Sequence, residues 1–546
     1  MPEASLSTLD RAAVLDRLER ERFDLAVIGG GISGAGIARE ATLRGASVAL
    51  LESADFASGT SSRSSKLIHG GLRYLALGDV ALVRSTALER KEIHRLAPHL
   101  AEPRFMLVPA RSRAALLKFR AGLTAYEKLG GVTGDDLHRT FTGDELAREE
   151  PLLDRRRFPF ACAYREYLTD DAHLVLANLR HAAEHGAAVL NYAGVTSIEV
   201  EGGRAAGVSA RCGETGREVR VRARCVINAA GPWVEAVQRL ERPDAPPLLH
   251  LSKGVHVVFP ADRLPVRHML VLGTDDRRSI FAIRRGGVVY LGTTDTSYAG
   301  SCREWPEIEE RDAAYLLDPL SRYLAPPLPA ISDAVAAWAG LRPLVAQPGK
   351  PPTEISRRDE IAVGPRGVVT LAGGKLTGYR PTARRTLEVA ADAAGLSLAA
   401  PAEEEPPLPG GDFDGNLDAL GAAIAGETGI ARDCADRLVR LHGSESRDVV
   451  KLGSAPLLPG APVLTGEVDF AVLHEGAARV EDVIYRRIRS ALYVPEARDR
   501  GVLPVAARMA ALLGWDAARR LREIDGVRAR LAADLAFRDE AAEESA

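Results

Sequence analysis

No uninterrupted apolar stretch in this 546-residue chain approaches the roughly 18 residues that a membrane-spanning helix requires. A secretory signal is missing from the first 24 residues, which alternate acids and arginines (Asp10, Arg11, Asp16, Arg17, Glu19, Arg20) instead of running basic and then apolar. Cysteine is scarce. Cys162, Cys212, Cys225, Cys302 and Cys434 are odd in number and scattered, which argues against a disulfide framework, a zinc site or an iron–sulfur cluster. No metal is expected on these grounds, and the cysteines read as small buried apolar side chains of a protein in a reducing compartment. Net charge is also nearly absent: 71 Lys+Arg against 74 Asp+Glu leave −3, too balanced for a nucleic-acid-binding protein. There is no internal repeat. What remains is a chain with 46% hydrophobic and 27% charged residues, in the globular range, and long enough for about three or four domains. Its 51 glycines are more than turns need, and they cluster.

The first cluster follows Phe23-Asp24-Leu25-Ala26-Val27-Ile28, a short apolar run of the kind that forms a buried parallel strand. Gly29, Gly31 and Gly34 then fit G-x-G-x-x-G, opening a small-residue helix that runs to Arg44. Gly45 stands at its C-cap position, and Ser47–Leu51 reads as a second strand ending at Glu52. In such a βαβ unit the first glycine permits the tight turn and the second lets backbone approach a pyrophosphate. The third packs helix on strand, while the acid at the second strand's end can hold an adenosine ribose. A dinucleotide site is therefore expected, with Gly29, Gly31, Gly34 and Glu52 as contacts.

Two further strand–glycine junctions occur, at Cys225–Gly231 and at Val368–Gly374, and the chain after Leu376 reads as helix. Between them Gly254–Phe259, Ser279–Ile283 and Val288–Gly292 read as antiparallel strands. The nucleotide domain is thus expected in three pieces (22–98, 166–250 and 336–398), interrupted by a sheet domain in two (99–165 and 251–335). A Pro- and acid-rich linker spans 399–411, and residues 412–546 read as a helical domain.

Residues 60–74 are dense in hydroxyls, glycines and cations, which suits a long cofactor threaded from pyrophosphate to flavin ring. The run SSRSSKLIHGGLRYL (61–75) resembles the signature of FAD-dependent glycerol-3-phosphate dehydrogenases. NAAGPWV (228–234), KGVHVVF (253–259), GTTD (292–295), WAGLRPL (338–344), GGKLTGYR (373–380) and HEGAARVEDVIYRRIRSAL (474–492) follow in consistent order. The resemblance covers about residues 22 to 495. It implies a mixed α/β and α+β architecture: a Rossmann-like FAD-binding domain of D-amino-acid-oxidase type, an inserted antiparallel-sheet substrate domain and a C-terminal helical domain.

The resemblance implies FAD as cofactor and sn-glycerol 3-phosphate as substrate, oxidised to dihydroxyacetone phosphate. Beyond the fingerprint, Thr60, Ser61, Ser62, Lys66, His69, Gly70, Gly231, Gly373, Gly374, Lys375 and Leu376 match cofactor-contacting positions. Arg73, Tyr74, Arg342, Arg357 and Lys375 match positions around substrate and flavin, with Arg342 and Arg73 suited to the phosphate. After Arg357, Arg358 intervenes before the expected acid, so Arg357 ranks last. His256 is the candidate general base, since an imidazole titrates near neutrality; a structural role or mere substrate binding is the alternative. Strand alternation puts His256 on one face with Gly254 and Val258, opposite Lys253 and Val255. Lysine usage adds a pointer: only eight of the 71 basic residues are lysines, and Lys66, Lys253 and Lys375 all fall inside these motifs.

A membrane quinone is the expected electron acceptor, with molecular oxygen as the alternative. A quinone requires contact with the bilayer, and residues 111–131 mix Arg111, Arg113, Lys118, Arg120 and Lys128 with Leu116, Leu117, Phe119, Leu123 and Tyr126. The segment reads either as an interfacial helix on an anionic membrane or as an ordinary surface helix. The expectation is a cytoplasmic protein held peripherally at the inner face of the cell membrane; a homodimer is compatible with the resemblance. Rival readings are an oxygen-dependent glycerol-3-phosphate oxidase, an amine or amino-acid oxidase of the same fold, or a flavin-binding regulatory module without turnover.

Overall fold

The computed structural model describes residues 6–70, 80–302, 304–346 and 359–539. Two sheets organise the chain. In the first, the strands Glu360–Val363, Val369–Ala372, Glu218–Asn228, Arg22–Ile28, Val48–Leu51 and Ala188–Leu190 lie side by side in that order. All neighbours along this path are parallel except the edge pair Glu360–Val363 with Val369–Ala372. Arg22–Ile28 is central and buried from Leu25 onward, as an apolar run covered on both faces must be. The hairpin Ala193–Glu201 and Arg204–Cys212 extends antiparallel from the first half of Glu218–Asn228. Helices Ile32–Leu43, Asp171–Glu184 and Tyr379–Ala394 cover one face through Ile37, Ala41, Val175, Leu179, Ala383 and Leu387. On the other face the helix Arg11–Arg20 seats Leu15 and Leu18 in a core with Phe23 and Val221, so the charge-alternating segment is an ordinary amphipathic helix.

The second sheet has ten strands, in the order Thr296–Ser297, Leu249–Pro260, Val288–Gly292, Ser279–Arg285, Met269–Gly273, Glu102–Ala110, Phe160–Leu168 and Leu67–Ile68. Ala336–Val345 pairs with Leu249–Pro260, and Arg139–Thr142 with Phe160–Leu168. It is antiparallel except where Met269–Gly273 runs parallel to Glu102–Ala110, a join between two chain segments rather than a hairpin. Beyond residue 412 the named elements are helices, from Leu417–Thr428 to Ala517–Ala533, with a π-helical turn at Val483–Arg487. Residues 399–411 carry no helix or strand, yet they are pinned. Glu405 is buried among Arg39, Arg380 and Arg384, and Leu408 joins the core under the first sheet. Among the described residues no helix is long and apolar enough to cross a membrane.

Candidate active site

Ligands of open α/β sheets bind beyond the carboxyl ends of the strands. Here Gly29, Ala229–Gly231 and Gly373–Leu376 leave three adjacent parallel strands at that end, in register Ile28 with Asn228 and Asn228 with Thr370. Gly29 has φ 115°, a conformation that side chains avoid. Gly34 lies so close under it that a Cβ there would meet the Gly29 carbonyl oxygen at 1.9 Å. Glu52 accepts the Gly30 N–H at 2.6 Å through Oε2 and the Ala54 N–H at 2.8 Å through Oε1. Burial pushes its carboxyl above the usual range, which these N–H donors oppose.

The hydroxyl-rich segment meets this turn. Ser61 Oγ accepts the Ile32 N–H at 2.9 Å in the first helical turn, and Thr60 Oγ1 donates to the Leu341 carbonyl at 2.6 Å, tying the segment to the second sheet. Ser62 is buried. The His69 carbonyl accepts from Thr377 Oγ1 at 3.2 Å, which joins the segment's far end to the Lys375-Leu376 turn. The Gly70 N–H points to Glu166 at 3.3 Å. Glycine turn, acid, hydroxyl segment and the third junction therefore converge at the carboxyl end of the first sheet, where such folds hold an extended dinucleotide.

The path ends on one face of the second sheet. His256, Gly254 and Ser252 on Leu249–Pro260 stand in register with Trp338, Gly340 and Arg342 on Ala336–Val345. The His256 ring stacks on Trp338 at 4.7 Å and 11°, and its Nε2 lies 2.9 Å from Ser65 Oγ. Its Nδ1 has no hydrogen-bond partner among the described residues. Burial first, then the charges of Lys66 and Arg342, holds the imidazole well below its ordinary value, so it is neutral near pH 7. Arg342 lies flat over Gly254, where a Cβ would meet its guanidinium at 2.6 Å; it donates to Thr293 Oγ1 at 2.9 Å and the Thr294 carbonyl at 3.1 Å. The alternation expected for this strand is present: Val255 and Val257 face the opposite core.

Two of the three motif lysines are enclosed. Lys66 is 0% exposed, and its Nζ donates to Asp171 Oδ2 at 2.8 Å and to the Ser62 carbonyl. It thus shapes the loop from beneath, at positive φ (57°). Burial pushes it down to about 7 against the opposing pull of Asp171. Lys253 is on the far face, paired with Asp312 at 2.8 Å. Lys375 is half-buried at the start of the turn Leu376–Gly378. Arg73, Tyr74 and Arg357 lie outside the described residues. The helix Arg113–Gly130 commits Leu116, Leu123 and Tyr126 to the protein, leaving Leu117 and Phe119 exposed among Arg113, Lys118 and Arg120.

Several residues that organise the site are invisible to motif reading. Asp171 receives Lys66, the Ser64 hydroxyl at 2.7 Å and Arg489 at 3.0 Å. Asp55, just past Glu52, receives Arg486 and Arg487 from the C-terminal π-helical turn. Arg63 stacks on Trp305 at 3.6 Å, with burial bringing it down to about 10. The one available signal was the arginine-dense YRRIR run at 485–489.

This combination of a parallel nucleotide sheet, a mixed sheet above its carboxyl end and a helical C-terminal region defines a flavin-dependent oxidoreductase of the D-amino-acid-oxidase type. Residues 24–380 match the model of the FAD-dependent oxidoreductase family, and residues 403–520 match that of the C-terminal domain of alpha-glycerophosphate oxidase. The aerobic glycerol-3-phosphate dehydrogenase of Staphylococcus haemolyticus is 38% identical over 458 residues, 81% of either chain; that of Staphylococcus aureus is 35% identical over 500 residues, 88% of this chain and 89% of the relative. The glycerol-3-phosphate dehydrogenase of Bacillus halodurans, solved with FAD, superposes with a TM-score of 0.80 at 30% identity over 97% of this chain and 98% of its own. The chain belongs to the aerobic glycerol-3-phosphate dehydrogenase family of FAD-dependent oxidoreductases.

Proposed function

We propose that this protein oxidises sn-glycerol 3-phosphate to dihydroxyacetone phosphate and passes the electrons to a membrane quinone. The observation that carries the reading is the His256–Arg342 face beneath the cofactor segment, in a chain whose relatives are named for that substrate. In this reading the first sheet serves the cofactor, the second, which takes in Ala336–Val345 and Leu67–Ile68, serves the substrate, and the helical region follows.

FAD, when bound, supplies the two-electron acceptor for the C2–H bond. Gly29, Gly31, Gly34 and Glu52 hold its dinucleotide part, and Thr60, Ser61, Ser62, His69, Gly70, Gly231, Gly373, Gly374 and Leu376 line the rest, with Lys66 fixing the loop from below. Arg342, with Arg73 and Tyr74, takes the phosphate dianion or the developing alkoxide; a guanidinium offers the bidentate geometry that a phosphate favours. His256, neutral as the site is built, takes the C2 hydroxyl proton on an imidazole nitrogen. Lys375 offers a cation where the reduced cofactor gains negative charge, and Arg357 is the remaining candidate for the substrate.

The electron exit rests on the helix Arg113–Gly130. Leu117 (61% exposed) and Phe119 (36%) project beside Arg113, Lys118 and Arg120, the composition of a surface that meets an anionic bilayer. The protein then works at the inner face of the cell membrane. Two measurements test the whole reading. Anaerobic addition of glycerol 3-phosphate should bleach the flavin band near about 450 nm; bleaching by an amine instead overturns the substrate. Flotation with anionic liposomes in low salt should retain the protein, and failure to float, with rapid reoxidation by oxygen, replaces the quinone with oxygen.

A further inference from the structure

Behind the cofactor segment, three buried side chains from distant parts of the chain face one another. His173 belongs to the first turn of the helix Asp171–Glu184, His442 is the last residue of Arg432–His442, and Glu475 follows Thr465–His474. Their exposures are 2%, 4% and 2%. One ligand atom from each lies within 4.8 Å of the other two. We propose that His173, His442 and Glu475 bind a divalent transition-metal ion of the zinc class, which clips the C-terminal helices to the FAD-binding unit.

Hydrogen bonding sets the tautomer. His173 Nδ1 lies 3.0 Å from Asp170 Oδ1, and the other Asp170 oxygen receives Arg285 at 2.9 Å and Arg489 at 3.3 Å. Paired with two guanidiniums, Asp170 is an acceptor, so a proton sits on His173 Nδ1, and Nε2 presents its lone pair when the ring is neutral. A carboxylate that orients a histidine through its far nitrogen is the usual outer partner of a histidine metal ligand. His173 Nε2 points towards Glu475 Oε1 at 3.9 Å, and His442 Nδ1 approaches the same oxygen at 3.8 Å.

Neither His173 Nε2 nor Glu475 Oε2 has a hydrogen-bond partner among the described residues. Buried polar atoms left without a partner are costly. The nearby arginines lend Glu475 opposite charge but no side-chain hydrogen bond. Arg180 spends both terminal nitrogens on Glu445 (2.6 and 2.7 Å), and Arg487 meets Asp55 and only the Glu475 backbone carbonyl, at 2.6 Å. Zinc bonds of about 2.0–2.2 Å in tetrahedral geometry place ligand atoms about 3.4 Å apart, so the two edges to Glu475 Oε1, at 3.8 and 3.9 Å, close with shifts of a few tenths of an ångström, and the histidine–histidine edge, within 4.8 Å, with a larger one. Two imidazoles and one carboxylate suit zinc or its first-row neighbours over magnesium or calcium. The cysteine count could not reveal such a site, because no cysteine takes part.

The test is the metal content of untagged, full-length holoprotein, measured by inductively coupled plasma mass spectrometry after equilibration with zinc chloride and desalting. About one equivalent per chain is expected, falling at least tenfold in His442→Ala and in Glu475→Gln. Dipicolinate should strip the metal and lower Tm, and zinc should restore it, while the flavin spectrum reports cofactor retention separately. Anomalous scattering at the zinc edge, with a peak between His173 Nε2, His442 Nδ1 and Glu475, gives the same answer without variants. A wild-type protein with its full flavin but below about one-tenth of an equivalent of any transition metal overturns the proposal and leaves a bridging water.

Discussion

Lys66 and Asp171 form an ion pair, 2.8 Å from Nζ to Oδ2, in which neither side chain reaches solvent. The pair joins the cofactor segment to the helix Asp171–Glu184, and the same aspartate receives Arg489 from the C-terminal region. Three separate stretches of chain thus balance their charges at one carboxylate.

Removing one partner of a buried pair costs about 3–5 kcal/mol because the other charge stays buried. Lys66→Met should therefore lower Tm by several degrees and reduce retained flavin per chain in the same preparation. Lys66→Arg should not restore either, since a side chain with no exposure has no room for a guanidinium. A Lys66→Met protein with wild-type Tm and flavin content would show that the loop is held elsewhere.

Gly34→Ala should abolish cofactor retention, because its new methyl would meet the Gly29 carbonyl oxygen at 1.9 Å and push helix and strand apart. The ratio of flavin to protein absorbance after gel filtration measures this directly.

Arg342→Ala should raise KM for glycerol 3-phosphate by about ten- to a hundredfold, the range for losing a charge-assisted contact, with flavin content unchanged. Loss of flavin instead would mean that Arg342 serves the cofactor.

His256→Asn should lower kcat by about 10²–10⁴-fold, the usual weight of a general base. Burial, Lys66 and Arg342 all depress the His256 imidazole. The acid limb of the wild-type pH–rate profile should accordingly fall below pH 6.5, the ordinary histidine value, and vanish in the variant. An acid limb above that value points to another group.

Glu405 gives the pH dependence of stability. Burial alone would raise its carboxyl, but Arg380 and Arg39 outweigh burial and hold it at about 2, against an ordinary value of 4.5. A depressed acid stabilises the fold above the unfolded value, and that contribution is lost as pH falls from about 4.5 to about 2. Urea denaturation should find Glu405→Gln about 3 kcal/mol less stable than wild type near pH 7, with the gap closing across that acid window. A gap that persists at the lowest pH removes the carboxylate from the explanation.

The fold was legible where local rules decide it. Phe23–Glu52 carries strand, glycine turn, helix and acid within one stretch, and the strands around Gly254–Phe259, Ser279–Ile283 and Val288–Gly292 alternate or run apolar as their burial requires. The parallel join of Met269–Gly273 with Glu102–Ala110 was not legible, since no turn chemistry announces a pairing between segments so distant. Lysine scarcity marked Lys66 and Lys253 as special, and each is paired with a buried carboxylate, Asp171 and Asp312. Buried ion pairs are written in two places at once, and one place alone reads as surface charge. Glu405 shows this plainly: in a Pro- and acid-rich run it reads as linker, and only Arg39, Arg380 and Arg384 reveal it as an anchor.

Asp55 follows the second nucleotide strand closely, yet the arginines that neutralise it, Arg486 and Arg487, stand more than four hundred positions later. A chain leaving the ribosome folds its early units first. For most of its synthesis this one therefore carries an uncompensated carboxylate beside the cofactor turn. The nucleotide fold can close its sheet at that stage but not settle its charges. The buried carboxylate beside the glycine turn is thus neutralised only when the C-terminal region docks, which ties that end of the first sheet to a segment outside it.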